Sequence, residues 1–248
     1  MLSSPDPVAF TIGGMSIRWY GVLIAVGMLL AVYTSMIRAA RHNIEKEDLL
    51  DTILFAIPAG ILGARLYYVA FNWSYYGANP SQILNFRGGG LAIHGGLIAG
   101  MLVAWLVCRH KKINILNALD LAIPGIALAQ SIGRWGNYFN SEAHGGPTDL
   151  PWGIMVDGVK VHPTFLYESI WCFILFIVLI ILDKKPHFQG KIVCLYGILY
   201  SLERFLVEGL RTDSLMLGPF KQAQLLSLTV IVVCIVAYVY LRKSDKEN

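Results

Sequence analysis

The sequence predicts an all-α, polytopic membrane protein with seven transmembrane helices, the amino terminus outside and the carboxyl terminus cytoplasmic. Three observations predict it: a lipid-adapted composition, a series of apolar runs of spanning length, and basic residues concentrated in alternate loops. Hydrophobic residues make up 56% of the chain and charged residues only 15%, with a mean hydropathy of +0.57, unlike an ordinary soluble domain. A span needs about 20 mostly apolar residues, and residues 19–37 and 223–241 meet that length without a charge. Between them lie five weaker apolar segments, at 52–71, 91–108, 118–132, 164–182 and 192–207.

The flanks orient these segments in turn. Arg38, Arg41 and Lys46 follow the first; Arg109, Lys111 and Lys112 the third; Lys184, Lys185 and Lys191 the fifth; Arg242, Lys243 and Lys246 the last. The opposite loops hold only Arg18, Arg87, Lys160, Arg211 and Lys221. Cytoplasmic loops collect Lys and Arg, so the first set faces the cytoplasm. Trp19, Tyr20, Trp73, Tyr75, Tyr76 and Trp152 fall near the opposite ends, where amphipathic rings favour the interface. No basic residue precedes Arg18, so a cleaved signal peptide is not expected. The net charge of +4 is mostly topology and gives no case for nucleic acid. Without an internal repeat or soluble domain, the chain is expected to form a single integral membrane domain over 1–248. The outer loops at 72–90 and 137–163, rich in Gly, Pro and aromatic residues, are expected to form a small extracytoplasmic, or periplasmic, cap.

Cys108, Cys172, Cys194 and Cys234 sit in or beside predicted spans without metal-ligand spacing, so no metal site is expected and packing is their reading. The informative residues are the ionisable ones within spans: Arg65, His94, Arg134, Glu168, Glu203, Arg204 and Glu208. Each charge near the bilayer centre costs about 2.5–3.5 kcal/mol on insertion scales, so it faces a cavity or a partner. Structural ion pairing is the expectation for Arg65, Arg204, Glu168, Glu203 and Glu208, with Arg204 and Glu208 at i,i+4.

Arg134 reads differently. If its helix continues to Asn137, then Gln130, Arg134 and Asn137 share one face near the outer surface. A guanidinium fork there suits a phosphate or carboxylate in a bidentate fit; pairing with Glu142 is the alternative. His94 lies among glycines in "GGGLAIHGGLIAG", where Gly96 and Gly100 form a small-xxx-small helix contact. It is either a satisfied core histidine or a base beside an open cleft. Arg211, at the outer end of the sixth segment, is either a second grip on an anion or an interface anchor.

Four motifs carry a resemblance: "HGG" at 94–96, "GRWGNYFNSEAHG" at 133–145, "HPTFLYE" at 162–168 and "RFLVEGLRTD" at 204–213. In this order, from about Tyr20 to Gln224, they resemble the motifs of the prolipoprotein diacylglyceryl transferases, with Tyr138 where phenylalanine is usual. The resemblance implies a seven-span enzyme of the bacterial cytoplasmic (inner) membrane whose site opens to the outer leaflet. It implies transfer of the diacylglyceryl group of phosphatidylglycerol to the lipobox cysteine of a prolipoprotein signal peptide, leaving a thioether and releasing glycerol 1-phosphate. The partners implied are phosphatidylglycerol, the prolipoprotein and the bilayer; no cofactor is implied. In that chemistry His94 takes the thiol proton, and Arg134 and Arg211 stabilise the departing phosphate. Asn137 and Glu142 orient the headgroup or hold Arg134, Tyr20 lines the site, and Gly145 belongs to its substrate-binding motif. His162 reads as a helix-start residue before Pro163. A lipid or anion transporter with an outer-leaflet headgroup site is the alternative from another class, although such proteins usually carry repeated halves, which this sequence lacks.

Overall fold

The computed structural model describes residues 5–86 and 89–247. Arg87, counted above among the outer basic residues, and Gly88, the first glycine of the His94 segment, lie outside the described residues. The structure is mostly helical: α1 Trp19–Arg38, α2 Lys46–Phe71, the single turn α3 Trp73–Tyr76, α4 Ile93–His110, α5 Ile115–Phe139, α6 Thr164–Asp183, α7 Lys191–Leu210 and α8 Gln222–Glu247. The expectation of an all-α chain needs correction in the loops. Among the described residues, three two-stranded antiparallel hairpins occur there: β1 Val8–Ile12 with β2 Met15–Arg18, β3 Ile154–Val156 with β4 Val159–Val161, and β5 Met216–Leu217 with β6 Phe220–Lys221. Runs this short carry too little alternation to stand out from the turns around them.

Among the described residues, six helices are long and apolar enough to cross a membrane: α2, α4, α5, α6, α8, and α1 together with the turn that follows it. The predicted segment 192–207 is also helical, as the 20-residue α7, but Lys191, Glu203, Arg204 and Glu208 set it apart in composition. Large aliphatic and aromatic side chains are exposed along the helices, among them Leu29, Leu54, Ile98, Ile174, Val232 and Val236. Apolar cover on this scale marks a lipid-facing surface.

The chain divides into two compact units, one of residues Met1–Ile37 with Leu119–Asn248 and one of residues Arg38–Ala118. In the first, Ile123, Leu175, Leu179 and Ile192 form a buried cluster joining α5, α6 and α7. A second cluster, Ile154, Val156, Val161 and Phe165, seats the β3–β4 hairpin on the start of α6. Where α5 meets α6, Ser131 Oγ donates to Ser169 O and Ser169 Oγ to Ser131 O, each at 2.8 Å. Small hydroxyl residues let backbones approach closely where lipid supplies no hydrophobic drive between helices. The amino end of α7 is capped from a distance, because Asp120 of α5 accepts from Gly190 N at 2.7 Å and Val193 N at 2.8 Å. That carboxylate satisfies donors a helix start leaves open and lies at the positive end of the helix dipole.

In the second unit, α2 and α4 pack through glycines. A Cβ built on Gly60 would lie 3.3 Å from Gly96 O, and one on Gly96 the same distance from Gly60 O. The small-xxx-small contact read from Gly96 and Gly100 is thus made against α2. At the basic end of the same pair, Lys111 bridges Asp48 at 2.8 Å and Asp51 at 2.7 Å.

Candidate active site

The polar face expected of α5 is present, because the helix runs on past Asn137 to Phe139. Gln130 accepts from Tyr196 Oη at 2.7 Å. Arg134 Nη2 donates to Tyr200 Oη at 3.2 Å, and its Nη1 meets Glu168 Oε2 at 3.1 Å. Arg204 approaches the same carboxylate, with Nη1 2.8 Å from Glu168 Oε1 and Nη2 2.6 Å from Glu208 Oε2. Two guanidinium groups from different helices therefore share one fully buried glutamate.

The carboxylate that meets Arg134 is thus Glu168 of α6, and not Glu142, which stood as the alternative to an anion site. The arrangement bears out the Arg204–Glu208 pair. Glu203 departs from the pairing expectation, since neither of its buried carboxyl oxygens has a hydrogen-bond partner among the described residues. Arg65 departs too: its hydrogen bonds go to backbone carbonyls.

Glu142 orders the loop after α5. Its Oε1 accepts from Asn137 Nδ2 at 3.1 Å and Asn140 Nδ2 at 3.2 Å, while its own N–H donates to Asn137 O at 3.0 Å. Ser141 and Ala143 on either side adopt left-handed backbone, φ +55° and +56°, a conformation that costs non-glycine residues energy and persists where the surroundings fix it. Thr164 Oγ1 donates to Ala143 O and secures the far end of this turn. Asn137, Glu142, His144, Ile154, Val156 and Phe165 help to line a shallow recess. The ring of Tyr20 lies against Gly136, where a Cβ would collide with it. Two residues called for the site from sequence, Tyr20 and Asn137, are thereby brought to the same end of α5.

Gly145 joins the loop to the end of α7. Its N–H donates to His162 O at 2.9 Å, it pairs with Arg211 in an antiparallel bridge, and a Cβ would lie 2.7 Å from His162 Cβ. His162 meets Tyr167 Oη through Nδ1 at 3.3 Å, just before α6 begins. The Arg211 fork is closed on Asp213, with Nε to Oδ1 at 2.9 Å and Nη2 to Oδ2 at 2.7 Å. Those bonds hold the Asp213 carboxyl below the usual aspartate range. Lys221 Nζ donates to Glu208 O at 2.6 Å and Arg211 O at 2.8 Å, satisfying carbonyls that the helix end leaves open.

His94 belongs to the other unit. It is the second residue of α4, its side chain is exposed, and its ring centroid lies 6.3 Å from that of Tyr67. The neighbouring Gly95 is buried against Tyr67 and Gly63 O.

The residues that sequence reading passed over are Tyr196 and Tyr200, and Arg204 as a partner of Arg134. A signal was available: Tyr196, Tyr200, Arg204 and Glu208 fall at steps of four, a polar stripe on α7 matching the one on α5.

These features define a polytopic membrane protein with paired, partly accessible arginines at its polar cluster, the side chains of Arg134 and Arg204 being 21% and 22% exposed. Residues 7–240 match the family model described as prolipoprotein diacylglyceryl transferase. The chain is 56% identical to the phosphatidylglycerol–prolipoprotein diacylglyceryl transferase of Clostridioides difficile strain 630, over 98% of each chain. It is 50% identical to the protein of that name from Clostridium novyi, over 98% of this chain and 97% of the relative, and 47% identical to that of Finegoldia magna, over 96% of each. The chain belongs to the prolipoprotein diacylglyceryl transferase family.

Proposed function

We propose that this protein transfers the diacylglyceryl group of phosphatidylglycerol to the lipobox cysteine of a prolipoprotein, forming a thioether and releasing glycerol 1-phosphate. The observation that carries the reading is the family match across nearly the whole chain, joined to relatives of the same name at about half identity. The polar cluster supports it. Arg134 and Arg204 present two cations at a site where a phosphodiester would gain negative charge as it leaves, and preorganised cations act most strongly on developing charge.

The steps follow from the chemistry. A thiol of reference pKa about 8.5 is only a few per cent thiolate at neutral pH, so a base in hydrogen-bond reach raises the reactive fraction. His94 takes that proton. The sulfur then attacks the terminal glycerol carbon of the diacylglyceryl group; the S–C bond forms, the C–O bond to phosphate breaks, and the electron pair leaves on the phosphate. Arg134 binds that phosphate, Arg204 supplies the second cation, and Arg211 stabilises the leaving group from the outer end of α7. Asn137 and Glu142 orient the glycerol headgroup, with Tyr20 and Gly145 shaping the wall. The seventh span is α7, whose Arg204 is tolerated in lipid by pairing with Glu168 and Glu208. The basic flanks support an outside amino terminus and a cytoplasmic carboxyl terminus; the family match supports residence in the bacterial cytoplasmic membrane, and the whole chain is read as one membrane domain.

The test is reconstitution in phosphatidylglycerol vesicles with a lipobox peptide. Mass spectrometry should find diacylglyceryl on the cysteine peptide and none on its serine counterpart. Lipid crossing the bilayer without thioether formation would overturn the proposal. Membrane-impermeant labelling of cysteines placed near residues 78 and 186 tests orientation, with only the first expected to react from outside.

A further inference from the structure

Arg65 is a buried cation held by carbonyls. It lies on α2 with 2% of its surface exposed, and among the described residues no carboxylate meets it. Its Nη2 donates to Gln82 O at 2.6 Å, its Nε to Ile83 O at 2.7 Å, and its Nη1 to Gly89 O at 2.6 Å and Gly90 O at 3.0 Å. The Tyr76 ring faces the guanidinium at 5.1 Å. One side chain thus binds two stretches of loop, and the second leads directly into α4.

The hold continues residue by residue toward His94. Gly90 has φ +74°, and a Cβ there would fall 2.7 Å from Arg65 Nη1, so neither the backbone nor the space admits a side chain. Two residues on, Ala92 N donates to Ala64 O at 3.0 Å. His94 follows within the first turn of α4, its ring beside Tyr67, and Gly95 closes on Gly63 O. Residues 63–68 of α2 therefore fix the path of 89–95 at successive points.

The type of partner is informative. A carboxylate can rotate or give up its cation to an incoming anion, whereas carbonyls belong to the chain and can move only with it. Four acceptors in different directions also require the planar guanidinium, which a lysine ammonium cannot reproduce. A span tolerates such an expensive group only where its donors are satisfied. We propose that Arg65 is a positioning residue for His94, setting the entry of α4 so that the imidazole is held where the substrate thiol arrives. This inference rests on the reading of His94 as the base.

A double-variant cycle separates the two ideas, using the full chain in phosphatidylglycerol vesicles with the cysteine peptide. His94→Gln should lower turnover by roughly 10² to 10⁴. Arg65→Lys should lower kcat by roughly 10- to 100-fold, the scale of a misplaced catalytic group, with KM for lipid little changed. The double variant should be no slower than His94→Gln alone, because a base already removed cannot be misplaced. Gly90→Ala should follow the same pattern with a smaller loss, and it carries the cycle if Arg65→Lys does not fold. Losses that multiply, or an Arg65→Lys protein within about twofold of wild-type kcat, would overturn the inference while leaving His94 in its role. Wild-type turnover in His94→Gln would instead overturn the reading of His94, and this inference with it.

Discussion

Arg134 and Arg65 both sit in apolar helices, yet the fold makes them tolerable in opposite ways. Arg134 shares a buried carboxylate with Arg204 and keeps 21% of its side chain accessible, whereas Arg65 is 2% exposed and gives its donors to four carbonyls. Carboxylate partners leave a site that an incoming anion can enter, because phosphate competes for the same donors. Carbonyl partners leave none. The difference separates a cation placed to meet substrate from one placed to hold the chain, and each prediction below acts on it.

The largest effect is expected where the paired arginines meet. Glu168 is buried and accepts from both, so Glu168→Gln leaves Arg134 without a carboxylate and Arg204 with Glu208 alone, the two guanidinium groups sharing one neutral amide oxygen. Removing one partner of a buried charge cluster typically costs about 3–5 kcal/mol. Thermal unfolding in detergent should show the greatest loss of stability of the variants described here, with turnover falling alongside it. A small shift in both would mean that Arg134 and Arg204 do not depend on Glu168, and the contrast with Arg65 would lose its basis.

Arg134→Lys comes next. Charge is kept, but one of two directional contacts is lost, and charge-assisted hydrogen bonds are worth about 1.5–3 kcal/mol. Turnover should fall at least about tenfold at unchanged charge, read from lipid titrations at matched expression and thermal stability. Equal activity of the Lys and Arg proteins would reduce Arg134 to a point charge and remove the bidentate phosphate fit.

What could be read in advance follows the same division. The spans were legible because lipid demands length and apolarity from every residue in a segment, and α5 differed from its predicted 118–132 only by extending at both ends. The Arg204–Glu208 pair was legible because helical spacing alone sets it. Glu168, 34 positions from Arg134, was visible as an intramembrane acid but not as its partner, because the pairing depends on how α6 packs on α5. Glu142 looked equally suitable by nearness in sequence, and the turn through Ser141 and Ala143 instead directs it to Asn137 and Asn140. The bonds of Arg65 were the least legible, since every residue has a carbonyl and composition cannot single out four of them.

Arg211 provides a milder intermediate case, a cation at a helix end whose fork is closed on a partly exposed acid. If it stabilises the leaving group through its field, Arg211→Lys should retain more turnover than Arg211→Gln, with the loss in kcat more than in lipid affinity. Identical behaviour of the two variants would show that the fork on Asp213, not the charge, is what matters there.

The smallest effect belongs to Asp213. Half of its side chain is exposed, at 52%, so solvent screens the pair and Asp213→Asn should cost less than about 1 kcal/mol at neutral pH. The sign of its pH dependence is fixed by the lowered carboxyl affinity for protons in the folded protein. Above the unfolded aspartate value, near about 3.9, the carboxylate stabilises the fold; as pH falls through its lower folded value the carboxyl is protonated and that contribution is lost. Wild type and Asp213→Asn should therefore differ slightly in thermal midpoint at pH 7 and converge on acidification. The activity of this variant then separates two roles for Arg211. An unchanged KM for lipid would mean that the fork only braces the end of α7. A lower KM would mean that Asp213 competes with the phosphate for Arg211, giving Arg211 the same exchangeable carboxylate partner as Arg134 and setting both apart from Arg65.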